Sequence, residues 1–187
     1  MLNPAQCVLY SGGAAGAEEF FGGLAESCGI EEVNYSFEGH QINRLRGVRV
    51  LTSQELMLKD VSMTYVSRLM NREYTRAPLF RKVLQSICWQ VSSGEQVFVV
   101  GAIQQDGTVK GGTGWGAEFA KLCNKPLCVF DQPRGAWFVW KQDTWVSEEK
   151  PLVTSPRFAA TGTRFLEDNS RLAVQELFER SFGPGLH

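Results

Sequence analysis

The chain predicts an α/β fold, Rossmann-like and doubly wound, with a mainly parallel sheet, helices on both faces and a β-hairpin at the sheet edge in its C-terminal half. Three observations carry that expectation. Short β-branched or aromatic runs alternate with helical patterns, and three of the runs lead into glycine-bearing turns. The third is composition: 187 residues, 43% hydrophobic and 21% charged, suit one globular domain spanning residues 1–187. In order, the runs are "CVLYS" from Cys7, "VNYSF" from Val33, "VRVLT" from Val48, "QVFVVG" to Gly101, "PLCVFD" to Asp131 and "RFAAT" to Thr161. Each is short, bounded by turn residues and rich in strand formers.

Helical patterns fill the intervals. Ala17, Phe20, Phe21, Leu24, Ala25 and Cys28 recur at helical spacing, with Gly29 placed to cap the end. "TSQE", Thr52 to Glu55, reads as a capping box opening a helix whose apolar stripe is Leu58, Val61, Tyr65 and Leu69. Pro78 suits a first helical position, and Leu79, Val83, Leu84, Ile87, Cys88 and Val91 continue from it as an amphipathic helix. "WFVWKQDTWV", Trp137 to Val146, reads as the edge hairpin, with Trp137, Trp140 and Trp145 as packing residues.

Charge and composition narrow the function classes. With 19 basic and 20 acidic residues the net charge is −1, which argues against a nucleic-acid partner. Its distribution is uneven: residues 1–40 hold six glutamates and no Lys or Arg, whereas residues 41–82 hold nine basic and three acidic residues. Two solvated faces fit this split, and so does a basic wall that attracts an anionic small molecule. No run of about 18 apolar residues occurs and the start has no basic, apolar leader, so no membrane association and a cytoplasmic location are expected. Cys7, Cys28, Cys88, Cys123 and Cys128 are odd in number and form no CxxC pair, and they read as reduced thiols. Two histidines are too few for a dedicated metal site, so no metal is expected.

The turns carry the chemistry. "SGGAAGAE" follows the first strand, "KGGTGWGAE" lies a short loop beyond the "QVFVVG" strand, and "TGTRFLED" follows the last strand. A strand-to-helix turn offers free backbone N–H groups at the positive end of a helix dipole and suits phosphate. Parallel strands of one sheet gather such turns along one edge. The candidate phosphate-binding residues are Ser11, Gly12, Gly13 and Gly16 in the first turn, Gly111, Gly112, Thr113 and Gly114 in the second, and Gly162, Thr163 and Arg164 in the third. Gly22 and Gly23 read instead as close-packing positions of the first helix on the sheet. Neither GxxxxGK[ST] nor a clean GxGxxG with its acidic partner is present, which excludes P-loop NTPase and ordinary NAD-dependent dehydrogenase readings.

On these residues the chain resembles the SLOG superfamily. "SGGAAGAEEFFGGLAE" is similar to the superfamily's SGGAxGaD element, and "GGTGWGAEFA" to the PGGxGTxxE loop of its Lonely Guy branch of lysine decarboxylase-like phosphoribohydrolases. "YSFEGH", "WQVSSGEQVFVVG", "GGTGW" and "FDQPRGAWF" resemble the circularly permuted YpsA-like branch, which includes molybdenum-carrier proteins. The resemblance implies that residues 157–183, "RFAATGTRFLEDNSRLAVQELFERSFG", are a unit moved from the front of the chain, so that the strand at Phe158–Ala160 lies parallel to and beside that at Val8–Tyr10.

Two functions follow from the resemblance. One is a carrier or sensor that binds a nucleotide or a nucleotide-derived, molybdopterin-type ligand through its phosphate. The alternative is a nucleoside 5′-monophosphate phosphoribohydrolase in which Glu118 holds the place of the PGGxGTxxE glutamate and Arg81 is the candidate catalytic arginine. Lys110 and Trp115 stand where that loop has proline and threonine. Relatives often dimerise, and a homodimer is the implied assembly.

Overall fold

The computed structural model describes residues 1–183. Its strands are β1 (Val8–Ser11), β2 (Glu31–Phe37), β3 (Val48–Leu51), β4 (Gln96–Gly101), β5 (Leu127–Asp131), β6 (Ala136–Lys141), β7 (Thr144–Ser147) and β8 (Arg157–Gly162). Its helices are α1 (Ala17–Ser27), α2 (Ser53–Met57), α3 (Asp60–Met70), α4 (Pro78–Ser93), α5 (Thr113–Leu122) and α6 (Asp168–Phe182). All eight strands join one sheet in the order β3-β2-β1-β8-β4-β5-β6-β7. Every neighbouring pair from β3 to β5 is parallel, and β5-β6 and β6-β7 are antiparallel. This is the expected Rossmann-like, doubly wound α/β architecture with an edge hairpin.

Alternation along the central strands builds two cores. Tyr10, Val97, Val99, Leu127, Val129 and Ala159 face one side and pack with α2 to α5. Leu9, Phe98, Val100, Cys128, Phe130, Phe158 and Ala160 face the other and pack with α1 and α6. Strands buried on both faces are apolar at nearly every position, which is why "QVFVVG" and "RFAAT" read as continuous runs. The strand expected beside β1 is there: Val8, Leu9 and Tyr10 pair in parallel with Arg157, Phe158 and Ala159 of β8.

Local chemistry sets the element ends. Gly29, at φ 74°, donates to Glu26 O while Ile30 donates to Ala25 O, a double bond pattern that closes α1. Thr52 and Glu55 form the reciprocal capping box. Gln142 and Asp143 both have positive φ, as a two-residue hairpin turn requires. The capping box opens only the five residues of α2, and the stripe expected behind it is reversed. Leu58, Val61, Tyr65 and Leu69 are all more than half exposed, whereas Leu56, Met63, Val66 and Met70 are buried. Leu56, Met63, Val66 and Met70 form a second stripe at helical spacing through α2 and α3, and spacing alone does not say which of two apolar stripes meets the sheet.

The first helix's glycine pair is a second correction. A Cβ at Gly22 would collide with the Arg44 side chain, and Gly23 faces open space. Gly22 therefore makes room for an arginine. The cysteines carry no disulfide among the described residues, and burial pushes the Cys88 and Cys128 thiols up to about 12. His187 lies outside the described residues. Among the described residues no helix is long and apolar enough to cross a membrane.

Candidate functional site

Helix α1 covers one face of the sheet and α5 the other, so the connections change sides between β1 and β4 with β8 in the middle. In open α/β sheets that point, outside the carboxyl ends of the strands, is where ligands bind. A cavity of about 630 Å³ lies there. It is lined from the ends of five adjacent parallel strands: His40 beyond β2, Ala14 beyond β1, Thr161 to Arg164 at β8, Gly101 and Ala102 at β4, and Gln132 beyond β5. Phe80, Val83 and Ile87 of α4 make an apolar wall, and Gly111, Gly112 and Thr113 complete the lining at the start of α5.

The three glycine turns do meet, but they play unequal parts. Gly111, Gly112, Thr113, Gly162, Thr163 and Arg164 line the cavity. Among the described residues the backbone N–H groups of Gly111, Gly112 and Thr113 have no internal partner, while Gly114 donates to Gly111 O and Trp115 to Gly112 O. Three N–H groups without an internal partner at a helix start, with Lys110 and Arg164 beside the same cavity, are groups suited to an anion. Lys110 is one of the two residues that depart from the PGGxGTxxE pattern, and it supplies a cation to the lining.

The first turn is filled by the protein itself. Ser11 Oγ donates to Ala160 O at 2.7 Å, tying β1 to β8. A Cβ at Gly12 would lie 2.5 Å from Gln90 Nε2, one at Gly13 2.9 Å from Arg44 O, and one at Gly16 2.5 Å from Thr163 O. Gly13 and Gly16 also have φ of 68° and 91°. Of the helix-start donors, Ala17 N–H is taken by Thr163 O and Ala14 N–H by the Glu18 carboxylate. Gly114 is close-packed in the same way, against Val109 O. The sequence marks where backbone must come close without saying whether a ligand or another turn approaches.

Glu18 is the group the sequence reading missed. It lines the cavity and is only 5% exposed. Its carboxylate accepts from Thr161 Oγ1 at 2.7 Å and from Ala14 N at 3.1 Å. Burial raises its pKa above the usual glutamate range, against the opposing pull of Thr161, Ala14, Arg164 and Gln90. A signal existed: Glu18 stands three residues before Phe21 and seven before Ala25, on the buried stripe of α1. His40 also lines the cavity, its ring stacked on Phe37 with centroids 4.5 Å apart. Burial, with help from Arg164, lowers its pKa and favours the neutral imidazole.

Neither candidate catalytic residue lines the cavity. Glu118 accepts from Lys121 Nζ at 2.6 Å, and that ammonium lies 3.8 Å from the Trp140 ring centroid, against the edge hairpin. Arg81 pairs with Asp60 at 3.0 Å and lies over Tyr74. Much of the basic segment of residues 41–82 is likewise engaged within the protein. Arg44 and Arg46 bind Glu32, Arg49 binds Glu55, and Arg72 bonds Gln104, Thr108 and Val109 O. The arginine and lysine of the cavity, Arg164 and Lys110, come from outside that segment.

Fold and cavity together define the chain as an α/β protein of the doubly wound class with a crevice at its topological switch point. Comparison with protein-family models, curated proteins and solved structures gives no significant match.

Proposed function

We propose that the protein binds a nucleotide or nucleotide-derived ligand through its phosphate, as a cytoplasmic carrier or sensor, in the crevice at the ends of β1, β8 and β4. One observation supports the reading above the others. Free N–H groups of Gly111, Gly112 and Thr113, the cations Lys110 and Arg164, and the apolar wall of Phe80, Val83 and Ile87 border one cavity of about 630 Å³. That volume lies within the range of small-molecule sites, and an anion subsite beside an apolar wall suits a phosphate attached to a planar ring. The resemblance to the SLOG superfamily points the same way, with the molybdopterin-type ligand as one form of it.

Calorimetry with nucleoside monophosphates tests the reading. A Cβ at Gly112 would stand 3.4 Å from the Phe80 ring, so Gly112→Val fills the turn without meeting rigid backbone. Gly112→Val and Arg164→Ala are each expected to lower affinity at least about 100-fold, with the fold retained. Unchanged affinity in both variants rejects the site.

A phosphoribohydrolase is the second reading, and Glu18 is the observation in its favour, because a carboxylate does line the crevice. Glu118 and Arg81 would have to act from outside it. Release of free base from a nucleoside monophosphate decides for the enzyme. For the assembly we propose a homodimer in which the exposed stripe Leu58, Val61, Tyr65 and Leu69 meets its copy, since a single helical stripe can form an isologous contact. Sedimentation of the purified chain as a dimer is the corresponding expectation.

A further inference from the structure

The two ends of the crevice differ in hydrogen-bonding character. At the start of α5 the free groups are donors: the N–H groups of Gly111, Gly112 and Thr113, with Lys110 and Arg164 in the same lining. At the other end stands Glu18, an acceptor, beside Gln90. Helix α4 spans the distance. Its Phe80 touches the Gly112 turn, Gln90 reaches the Gly12 turn, and the ten-residue step from one to the other rises about 15 Å.

We propose that Glu18 sets the specificity of this crevice by accepting two adjacent hydrogen bonds from the ligand, which therefore carries a paired-donor edge: the ring N–H and amino group of a guanine-type base, or the cis-diol of a ribose. The proposal rests on the nucleotide reading above. Three observations carry it. First, Glu18 is 5% exposed, lines the cavity, and has no cation within ion-pair distance among the described residues. Its partners Thr161 Oγ1 and Ala14 N–H are neutral donors, and a carboxylate has about four acceptor positions, so capacity is left over. Secondly, Gln90 is 1% exposed, lines the same cavity, and its Oε1 has no partner among the described residues, which makes this end of the crevice richer still in acceptors. Thirdly, at the start of α1 the N–H groups of Ala14, Ala17 and Glu19 are occupied, by the Glu18 carboxylate, Thr163 O and Ala14 O, and the Glu18 carboxylate itself stands over the turn. A phosphate brought there would face a carboxylate, and the anion is directed to α5. The ligand is thus held by its phosphate at one end and by its donors at the other.

The test is isothermal calorimetry of the full chain with GMP, dGMP, IMP and AMP. IMP lacks the amino donor, AMP presents a ring acceptor where GMP has a donor, and dGMP lacks one hydroxyl of the diol. If the base edge is read, GMP and dGMP bind at least about tenfold more tightly than IMP and AMP, and Glu18→Gln closes the gap. If the diol is read, GMP, IMP and AMP bind alike, dGMP binds at least about tenfold more weakly, and Glu18→Gln again removes the difference. Equal affinity for all four in the wild type, or the same preference retained in Glu18→Gln, overturns the inference and leaves the phosphate reading standing. No binding of any of the four removes the nucleotide reading and the inference with it. A thermal melt checks that Glu18→Gln is folded; should it fail to fold, the wild-type series alone supports or overturns the proposal.

Discussion

Glu32 and Glu18 are almost equally buried, at 4% and 5% exposed, and they stand near opposite edges of the first helix's surroundings, yet they are treated in opposite ways. Glu32 is held by Arg44 at 2.5 Å and Arg46 at 2.6 Å, and Arg44 reaches onward to Glu26. Glu18 has a threonine hydroxyl and a backbone N–H, with the Gln90 side chain beside it. A buried carboxylate without a countercharge is costly, and evenly paired ones are structural. The pair around Glu32 fastens the loop between β2 and β3 to α1 and β2. A buried carboxylate without an ion-pair partner inside a cavity is a candidate functional group, since perturbed ionisable groups in clefts concentrate where function is.

Breaking the structural member of the pair has the largest expected effect. Glu32→Gln leaves Arg44 and Arg46 without their carboxylate and is expected to cost about 3 kcal/mol, the lower end for a buried pair because Arg46 reaches solvent. In a chain of this length that is a fall of roughly 6–12 °C in Tm by calorimetry, with ligand affinity unchanged in the variant that remains folded. Retained stability would mean that the arginines are held by something else.

Glycines divide along the same line. Gly13 has φ 68° and its Cβ position is 2.9 Å from Arg44 O, so Gly13→Val is expected to cost about 1–3 kcal/mol of stability, measured by denaturant unfolding. Its loss belongs to the fold. Gly112→Val, by contrast, should spare stability and lose affinity, and the two variants together separate a glycine that admits its own chain from one that admits a ligand.

The carboxyl itself has a smaller, pH-dependent signature. Burial raises the folded pKa of Glu18 above its unfolded value, so its contribution favours the folded state at low pH and is lost as pH rises through the folded pKa. Glu18→Gln, which stays neutral, should therefore melt above wild type at neutral pH, the gap closing as pH falls toward the ordinary glutamate range. His40, whose pKa is lowered, works in the other direction as pH falls, but it is present in both chains and cancels in the difference. A gap that widens toward pH 5 would contradict the assignment.

The smallest expected effect is at Glu118. Paired with Lys121 on the hairpin side of α5, its replacement by Gln should leave nucleotide affinity within about twofold of wild type, because it touches nothing in the crevice. A large loss of base release in Glu118→Gln would restore the enzyme reading in its first form.

How far the fold was legible follows from what each pattern encodes. Apolar runs such as "QVFVVG" and "PLCVFD" announce strands because both of their faces are buried. Pairing of β8 with β1 was expected from the resemblance and is present, although 150 positions separate Gly162 from Gly12. The stripe at Leu58, Val61, Tyr65 and Leu69 misled because α2 and α3 each have two apolar faces, and only packing chooses between them. At the crevice, the sequence marks the α5 turn, which does line the cavity, while the first turn's glycines are explained by contacts 30 to 150 residues away, with Arg44 and Thr163. Glu18 escaped because an acidic residue in a first helical turn is ordinarily explained by the helix dipole alone.

Native mass spectrometry of the freshly purified chain tests the central claim most directly. The account predicts a bound species with the mass of a phosphate-bearing small molecule on the wild type, absent from Gly112→Val and Arg164→Ala prepared in the same way. Recovery of the same bound species at the same occupancy in both variants would show that the ligand sits elsewhere and would contradict the assignment of the crevice.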